Sequence, residues 1–132
     1  MTRRVTIALP TADLRRAFRF HREGMGFSLA RAAEGDEMPE PVELALNPDT
    51  LLMLVPTDGF RRVIGDNTVA TGGVSECVVG LTAATDAEVD AIVARAEGAG
   101  GSVVAAPARQ PWGYSAAFKD PDGHVWLVVA RP

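Results

Sequence analysis

PWGYSAAFKDPDGHVWLVVA, residues 111–130, is the stretch whose reading decides the fold. An apolar run closes at Phe118, Lys119-Asp120-Pro121-Asp122-Gly123 supplies a tight turn, and a second apolar run opens at His124. Proline presets φ at the first corner position, and Gly123 can take the positive φ that a hairpin corner demands. Two strands joined by a short turn follow. In the second strand Val125, Leu127 and Val129 point one way and Trp126 and Val128 the other, so both faces are apolar. Such a strand is expected to be covered on both sides, in the middle of a fold.

Working outward, Ser102 to Ala105 reads as a strand, preceded by a helix whose stripe is Val89, Ile92, Val93 and Ala96. Thr85-Asp86-Ala87-Glu88 has capping-box spacing at the start of that helix, and Gly98, Gly100 and Gly101 end it. Val74 to Leu81 is expected as the strand before it. The first half repeats this order. Val5 to Leu9 alternates as a half-buried strand ended by Pro10, and Thr11 or Asp13 caps an amphipathic helix carrying Leu14, Ala17, Phe18 and Met25. Gly24 and Gly26 close that helix. Strands follow at Phe27 to Ala32, Val42 to Leu46 and Leu51 to Val55, with an acidic loop at Ala33 to Glu40. Residues 56–73 are the least regular part of the chain, a connector and candidate lid in which Phe60 to Ile64 can make one helical turn. Strand, helix, three strands thus occurs twice, as an internal repeat in element order. In it Met53 corresponds to Leu127.

The length of 132 residues suits one domain, or two very small ones sharing a core. A hydrophobic content of 47% supplies a substantial core, and no apolar run reaches the roughly 20 residues of a membrane span. The basic start Met1-Thr2-Arg3-Arg4 is followed by no signal-peptide pattern. The single cysteine, Cys77, excludes an intrachain disulfide framework and paired-cysteine zinc sites, and suits the cytoplasm. A net charge of −4 argues against nucleic acid as partner. The cluster Arg15, Arg16, Arg19 and Arg22 is read as a solvated helix face.

The pattern resembles the vicinal oxygen chelate superfamily, which contains glyoxalase I, extradiol dioxygenases, and the bleomycin- and fosfomycin-resistance proteins. The carriers are Leu9-Pro10-Thr11-Ala12-Asp13-Leu14, Phe20 through Gly24-Met25-Gly26-Phe27, the Val89-Asp90 helix ending in Ala99-Gly100-Gly101, and Trp112-Gly113-Tyr114 leading to Asp120-Pro121-Asp122-Gly123-His124-Val125-Trp126. The resemblance spans essentially the whole chain. It implies an α+β fold of paired βαβββ modules forming a curved mixed sheet around a cup, commonly homodimeric. The chain is then one domain over 1–132, with module one at 3–56, a connector at 57–73 and module two at 74–132.

Metal-using members of that superfamily bind a divalent ion through His, Glu or Gln on the first and last strand of each module. The matching positions here hold Thr6, Met53 and Leu127, and the fourth falls at Glu76 or Cys77. Hard divalent ions need several oxygen or imidazole donors at once, which Thr, Met and Leu do not provide. No metal and no cofactor are expected. His124 reads as a hairpin-end residue and His21 as a surface or helix-packing residue. Asp120 and Asp122 look like a paired carboxylate site, yet turn chemistry explains both. Glu76 is the candidate general base if it faces the cup.

With Met53 and Leu127 in place of carboxylates, the cup floor is apolar. Phe60, Trp112 and Tyr114 are the candidate walls and rim, against the plainer reading that all of them fill a core. The expected function is metal-free binding of a small apolar or aromatic molecule, as in antibiotic sequestration, without nucleic acid or membrane as partner. The alternative is a glyoxalase-like lyase, isomerase or dioxygenase with an atypical or metal-independent site.

Overall fold

The structure, a computed structural model, describes residues 3–30, 38, 41–70 and 72–131. The chain divides into two compact units, Met1–Val69 and Ala70–Pro132. In the first, strand β1 (Val5–Thr11) leads to helix α1 (Leu14–Arg19), which continues as a π-helical turn over Phe20–Gly24. Strands β2 (Ser28–Leu29), β3 (Val42–Asn47) and β4 (Thr50–Pro56) and helix α2 (Thr57–Ile64) follow. The sheet order is β1-β4-β3-β2, with β1 parallel to β4 and the other pairs antiparallel. Alternation along β4 sends Leu52 and Leu54 to one face, where they are level with Ile7 and Leu9 on β1 and with Leu44 and Val42 on β3. Helix α1 lies against β4. Leu9, Val42, Leu44, Leu52, Leu54, Ala17 and Phe20 are all buried, and this face carries the core of the unit.

Asp13, not Thr11, caps α1: its Oδ1 accepts from the Arg16 N–H at 3.0 Å, while Thr11 closes a local turn on the Asp13 backbone. The helix then widens. The Met25 N–H donates to the Phe20 carbonyl, five residues back, and the wider turn has Phe20, His21 and Gly24 buried together. Strand β1 runs through Pro10, which was expected to end it. β1 is an end strand of the sheet, where a residue lacking an N–H is tolerated. Helix α2 is two turns rather than one, starting from Pro56 in extended conformation and ending at Gly65 with φ +65°. Gly59 inside it weakened the sequence signal. The acidic loop at 33–40 lies, apart from Met38, outside the described residues.

The second unit comprises β5 (Val78–Ala83), α3 (Asp86–Gly98), β6 (Ser102–Gln110), β7 (Gly113–Lys119) and β8 (Val125–Ala130). Its sheet order, β5-β8-β7-β6, repeats that of the first. Phe118, Ala116 and Tyr114 stand opposite Trp126, Val128 and Ala130. Phe118 and Trp126 stack 6.5 Å apart on this face. Helix α3, with Val89, Val93 and Ala96 buried, packs on the same sheet. The expected capping box is present: Thr85 Oγ1 accepts from the Glu88 N–H, and Glu88 Oε2 accepts from the Ala84 N–H at 2.8 Å. Strand β5 starts at Val78 rather than Val74, because its parallel partner β8 starts only at Val125, the residue level with Val78. Strand β6 passes Pro107 by a register shift between Ala105 and Ala108, again on an edge strand.

The turn between β7 and β8 is built on one carboxylate. Asp120, 3% exposed, accepts at Oδ1 from the N–H groups of Asp122 and His124, both at 3.0 Å. Its Oδ2 accepts from the buried Trp126 indole at 3.3 Å. Gly123 takes φ +89°. Asp120 is thus committed to backbone and indole donors, in line with its reading as a turn residue. His124 is half-buried at the hairpin end.

Candidate functional site

The face of each sheet away from its buried core residues carries the candidate positions. In the first unit Met53 lies on this face with Ala8 of β1 on one side and Glu43 of β3 on the other. Thr6, level with Leu51, shares it. A cavity of about 480 Å³ is lined by Leu14, Pro41, Val42, Met53, Leu54, Val55 and Pro56. Every one of these side chains is apolar, and the volume falls in the roughly 300–1,000 Å³ range of small-molecule sites. Met53 is therefore a cavity wall residue, together with Leu14 of α1 and with Val42 and Leu54 of the helix-packed face. Phe60, half-buried on α2 just beyond Pro56, is outside that lining.

In the second unit Leu127 is level with Gly80 on β5 and Ala117 on β7. It is half-buried, as is Val125, while Trp126 and Val128 on the other face are fully enclosed. The register supports the pairing of Met53 with Leu127, since each is flanked by buried residues of the helix-packed face, Leu52 and Leu54 or Trp126 and Val128. Trp112 sits at the tip of the β6–β7 hairpin, 58% exposed. Its indole N–H donates to Ser115 Oγ at 3.1 Å, and Ser115 is level with Val129, on the Leu127 side of the sheet.

Tyr114 is turned the other way. It is level with Ala130, on the α3 side, and its hydroxyl donates to Asp90 Oδ1 on α3 at 2.7 Å. The Arg109 guanidinium lies over its ring at 5.4 Å and also pairs with Asp86. The hydrogen bond to Asp90 is the main reason that the Tyr114 hydroxyl titrates above its usual value of 10.0; desolvation and the Asp90 and Asp86 charges add to this and Arg109 opposes it. Tyr114 and Leu127 stand on opposite faces and share no wall. Glu76 is exposed and precedes β5, off the strand on which it was expected to face inward.

His21 is buried, with its ring edge-on to Phe20. Its Nδ1 lies 2.8 Å from the Ala17 carbonyl oxygen, which can only accept, so Nδ1 carries the proton. This is a helix-packing role. Among the described residues no three His, Cys, Asp or Glu side chains group as a metal site. Thr6, Met53 and Leu127 do not form the donor set that a hard divalent ion needs, so the residues present do not fit the metal of the metal-using relatives. Glu43 was not singled out from the sequence. Its signal was parity: in Val42-Glu43-Leu44-Ala45-Leu46, buried Val42 and Leu44 leave Glu43 on the face of Met53.

Two repeated βαβββ units, each a mixed four-stranded sheet with a helix on one face, define the class of protein. The chain belongs to the Glyoxalase/Bleomycin resistance protein/Dioxygenase superfamily, whose family model matches residues 3–128. Among solved structures it is similar to a hypothetical protein from S. aureus, at 27% identity and TM-score 0.80, covering 98% of this chain and 94% of that one. It is also similar to an antibiotic-binding protein from Streptomyces sp. CB03234, at 28% identity and TM-score 0.68, covering 100% and 98% of the two chains. A glyoxalase-related enzyme from Fulvimarina pelagi shares the fold at 23% identity and TM-score 0.80, over 100% of this chain and 90% of that one. A sequence comparison with curated proteins gave no match. No helix among the described residues is long and apolar enough to cross a membrane.

Proposed function

We propose that this protein binds a small apolar or aromatic molecule without a metal ion, in the manner of a sequestering protein. The observation that carries this reading is a cavity whose lining residues, Met53 among them, all bear apolar side chains, at a position where metal-using members of the superfamily place a ligand. The likeness to an antibiotic-binding protein at 28% identity over nearly all of both chains supports it. A carboxylate or imidazole at that position would polarise a bound oxygen; a thioether and aliphatic groups supply dispersion contacts and exclude water instead. The single exposed thiol, Cys77, is in keeping with a reducing cytoplasmic setting. A homodimer is part of the proposal: β6, an end strand of the second sheet, carries exposed Val103 and Val104 that a second copy can cover.

The test is a melting scan of untagged protein in chelator-treated buffer, against a panel of polycyclic aromatic compounds and against Zn, Ni, Mn and Fe. A ligand at about 100 times its Kd raises stability by about 2.7 kcal/mol, well within detection. Stabilisation by apolar compounds alone is the expected outcome. Stoichiometric metal by elemental analysis, or stabilisation by one ion only, would place the lyase, isomerase or dioxygenase reading first. Light scattering during size exclusion reads the dimer.

A further inference from the structure

We infer that Met53 is an oxidation-sensitive release device: conversion of its thioether to the sulfoxide empties the cavity of apolar ligands. This rests on the small-molecule-binding reading above and deepens it by adding a regulation to the same site. Of the four methionines of the chain, Met53 is the one in the cavity lining. It is half-buried, so solvent reaches its side chain while the protein is folded. Its chain neighbours Leu52 and Leu54 are enclosed, and β4 is flanked by β1 and β3. The strand therefore holds its place while the side chain reacts.

The oxidant is hydrogen peroxide. A lone pair of Met53 Sδ attacks one peroxide oxygen and the O–O bond breaks. The departing hydroxide takes up the proton of the transferred OH, which leaves sulfoxide and water. Sulfur loses two electrons and peroxide gains them; a thiol-dependent sulfoxide reductase reverses the step. The product carries a polar acceptor in place of a soft apolar group. The lining offers that oxygen no partner. Its side chains are all apolar, and Pro41 and Pro56 have no N–H. Met53 and Leu54 are in register with strands on both sides, so their main-chain groups serve the sheet. Water must satisfy the oxygen, and an apolar ligand would have to displace that water without replacing its hydrogen bond. The second unit repeats the strand order with Leu127 as the counterpart of Met53, so the fold itself does not require sulfur at this place.

The experiment follows binding of the neutral fluorescent probe N-phenyl-1-naphthylamine to the full chain before and after hydrogen peroxide, while peptide mass spectrometry reads each methionine. Wild-type protein is expected to gain one oxygen atom at Met53 and to bind the probe about tenfold more weakly, with its circular dichroism unchanged. Methionine sulfoxide reductase with dithiothreitol should restore the affinity. Met53→Leu, measured against its own untreated affinity, is expected to lose nothing, although it keeps Met25, Met38 and Cys77. Oxidation of Met53 with affinity unchanged would overturn the switch and leave the apolar site standing. An equal loss in Met53→Leu would do the same. Failure of untreated wild-type protein to bind the probe would overturn both readings. Saturating probe should also slow oxygen uptake at Met53 relative to Met25. That ratio and the reductase rescue need no variant, so a folding defect in Met53→Leu cannot mask the answer.

Discussion

Replacing Asp120 by alanine tests whether the most elaborate carboxylate of the chain is structural. Its side chain accepts hydrogen bonds from two backbone N–H groups of the β7–β8 turn and from the Trp126 indole. Trp126 is fully buried, so its orphaned donor has no water to turn to. Each buried donor left unsatisfied costs about 1–3 kcal/mol. The indole belongs at the upper end and the two part-buried backbone groups at the lower end, so Asp120→Ala is expected to cost about 3–5 kcal/mol. Asp120→Asn is the finer probe. Its carbonyl oxygen can keep the two backbone bonds, but its amide then presents a donor to the indole donor, for a loss of about 1–3 kcal/mol. In a Trp126→Phe background that loss should shrink by about 1–2 kcal/mol, because the conflicting partner is gone. Urea unfolding followed by far-ultraviolet circular dichroism gives these values, with an unchanged m-value as the check that only stability moved. Asp120→Ala within about 1 kcal/mol of wild type, or an Asn penalty equal in the two backgrounds, would refute this account of the turn. The turn reading also requires that the Asn variant bind aromatic compounds as the wild type does.

Tyr114 is the single tyrosine of the chain, so tyrosinate absorbance during an alkaline titration reports on it alone. The midpoint should lie above 10.0 and fall towards it in Asp90→Asn, which removes the first cause of the shift. Because the folded-state value is raised, its stabilising contribution is fully present below pH 10.0 and is lost as pH rises through the folded midpoint; Tyr114→Phe should flatten that alkaline limb. Gly113→Ala should be strongly destabilising. Gly113 has φ +133°, and an added Cβ would lie 2.6 Å from the Ala130 carbonyl oxygen, so a loss of about 2–4 kcal/mol is expected by chemical unfolding. Leu127→Ala should cost less than about 2 kcal/mol, since the side chain is half-buried, against about 2–5 kcal/mol for Leu52→Ala on the enclosed face of the first sheet. Trp112→Ala, at an exposed hairpin tip, should leave the melting temperature within a few degrees of wild type.

The sequence by itself determined the element order, the two-fold repeat and the superfamily. These are written in local signals: the period-two alternation of Val5 to Leu9, the capping box from Thr85 to Glu88, and the Asp120-to-Gly123 corner each depend on residues within a turn of one another. The identity of Met53 and Leu127 also spoke directly, since a thioether or an isobutyl group cannot become a hard-ion donor whatever surrounds it. Tertiary structure decided which way side chains face and where strands begin. A one-residue phase difference sends a strand residue to the opposite face, and that phase is set by partner strands distant in the chain. Tyr114 was therefore legible as an aromatic near the hairpin, and only the register with β8 turned it to α3 and Asp90. Glu76 fell off its expected strand because β8 offers no partner before Val125. Pro10 read as a strand end, and the strand from Ser102 was expected to stop at Ala105, until the sheet order placed Pro10 and Pro107 on end strands, where a missing N–H is tolerated. Glu43 was one charge among seventeen acidic residues in the sequence, and only pairing across the sheet set it level with Met53.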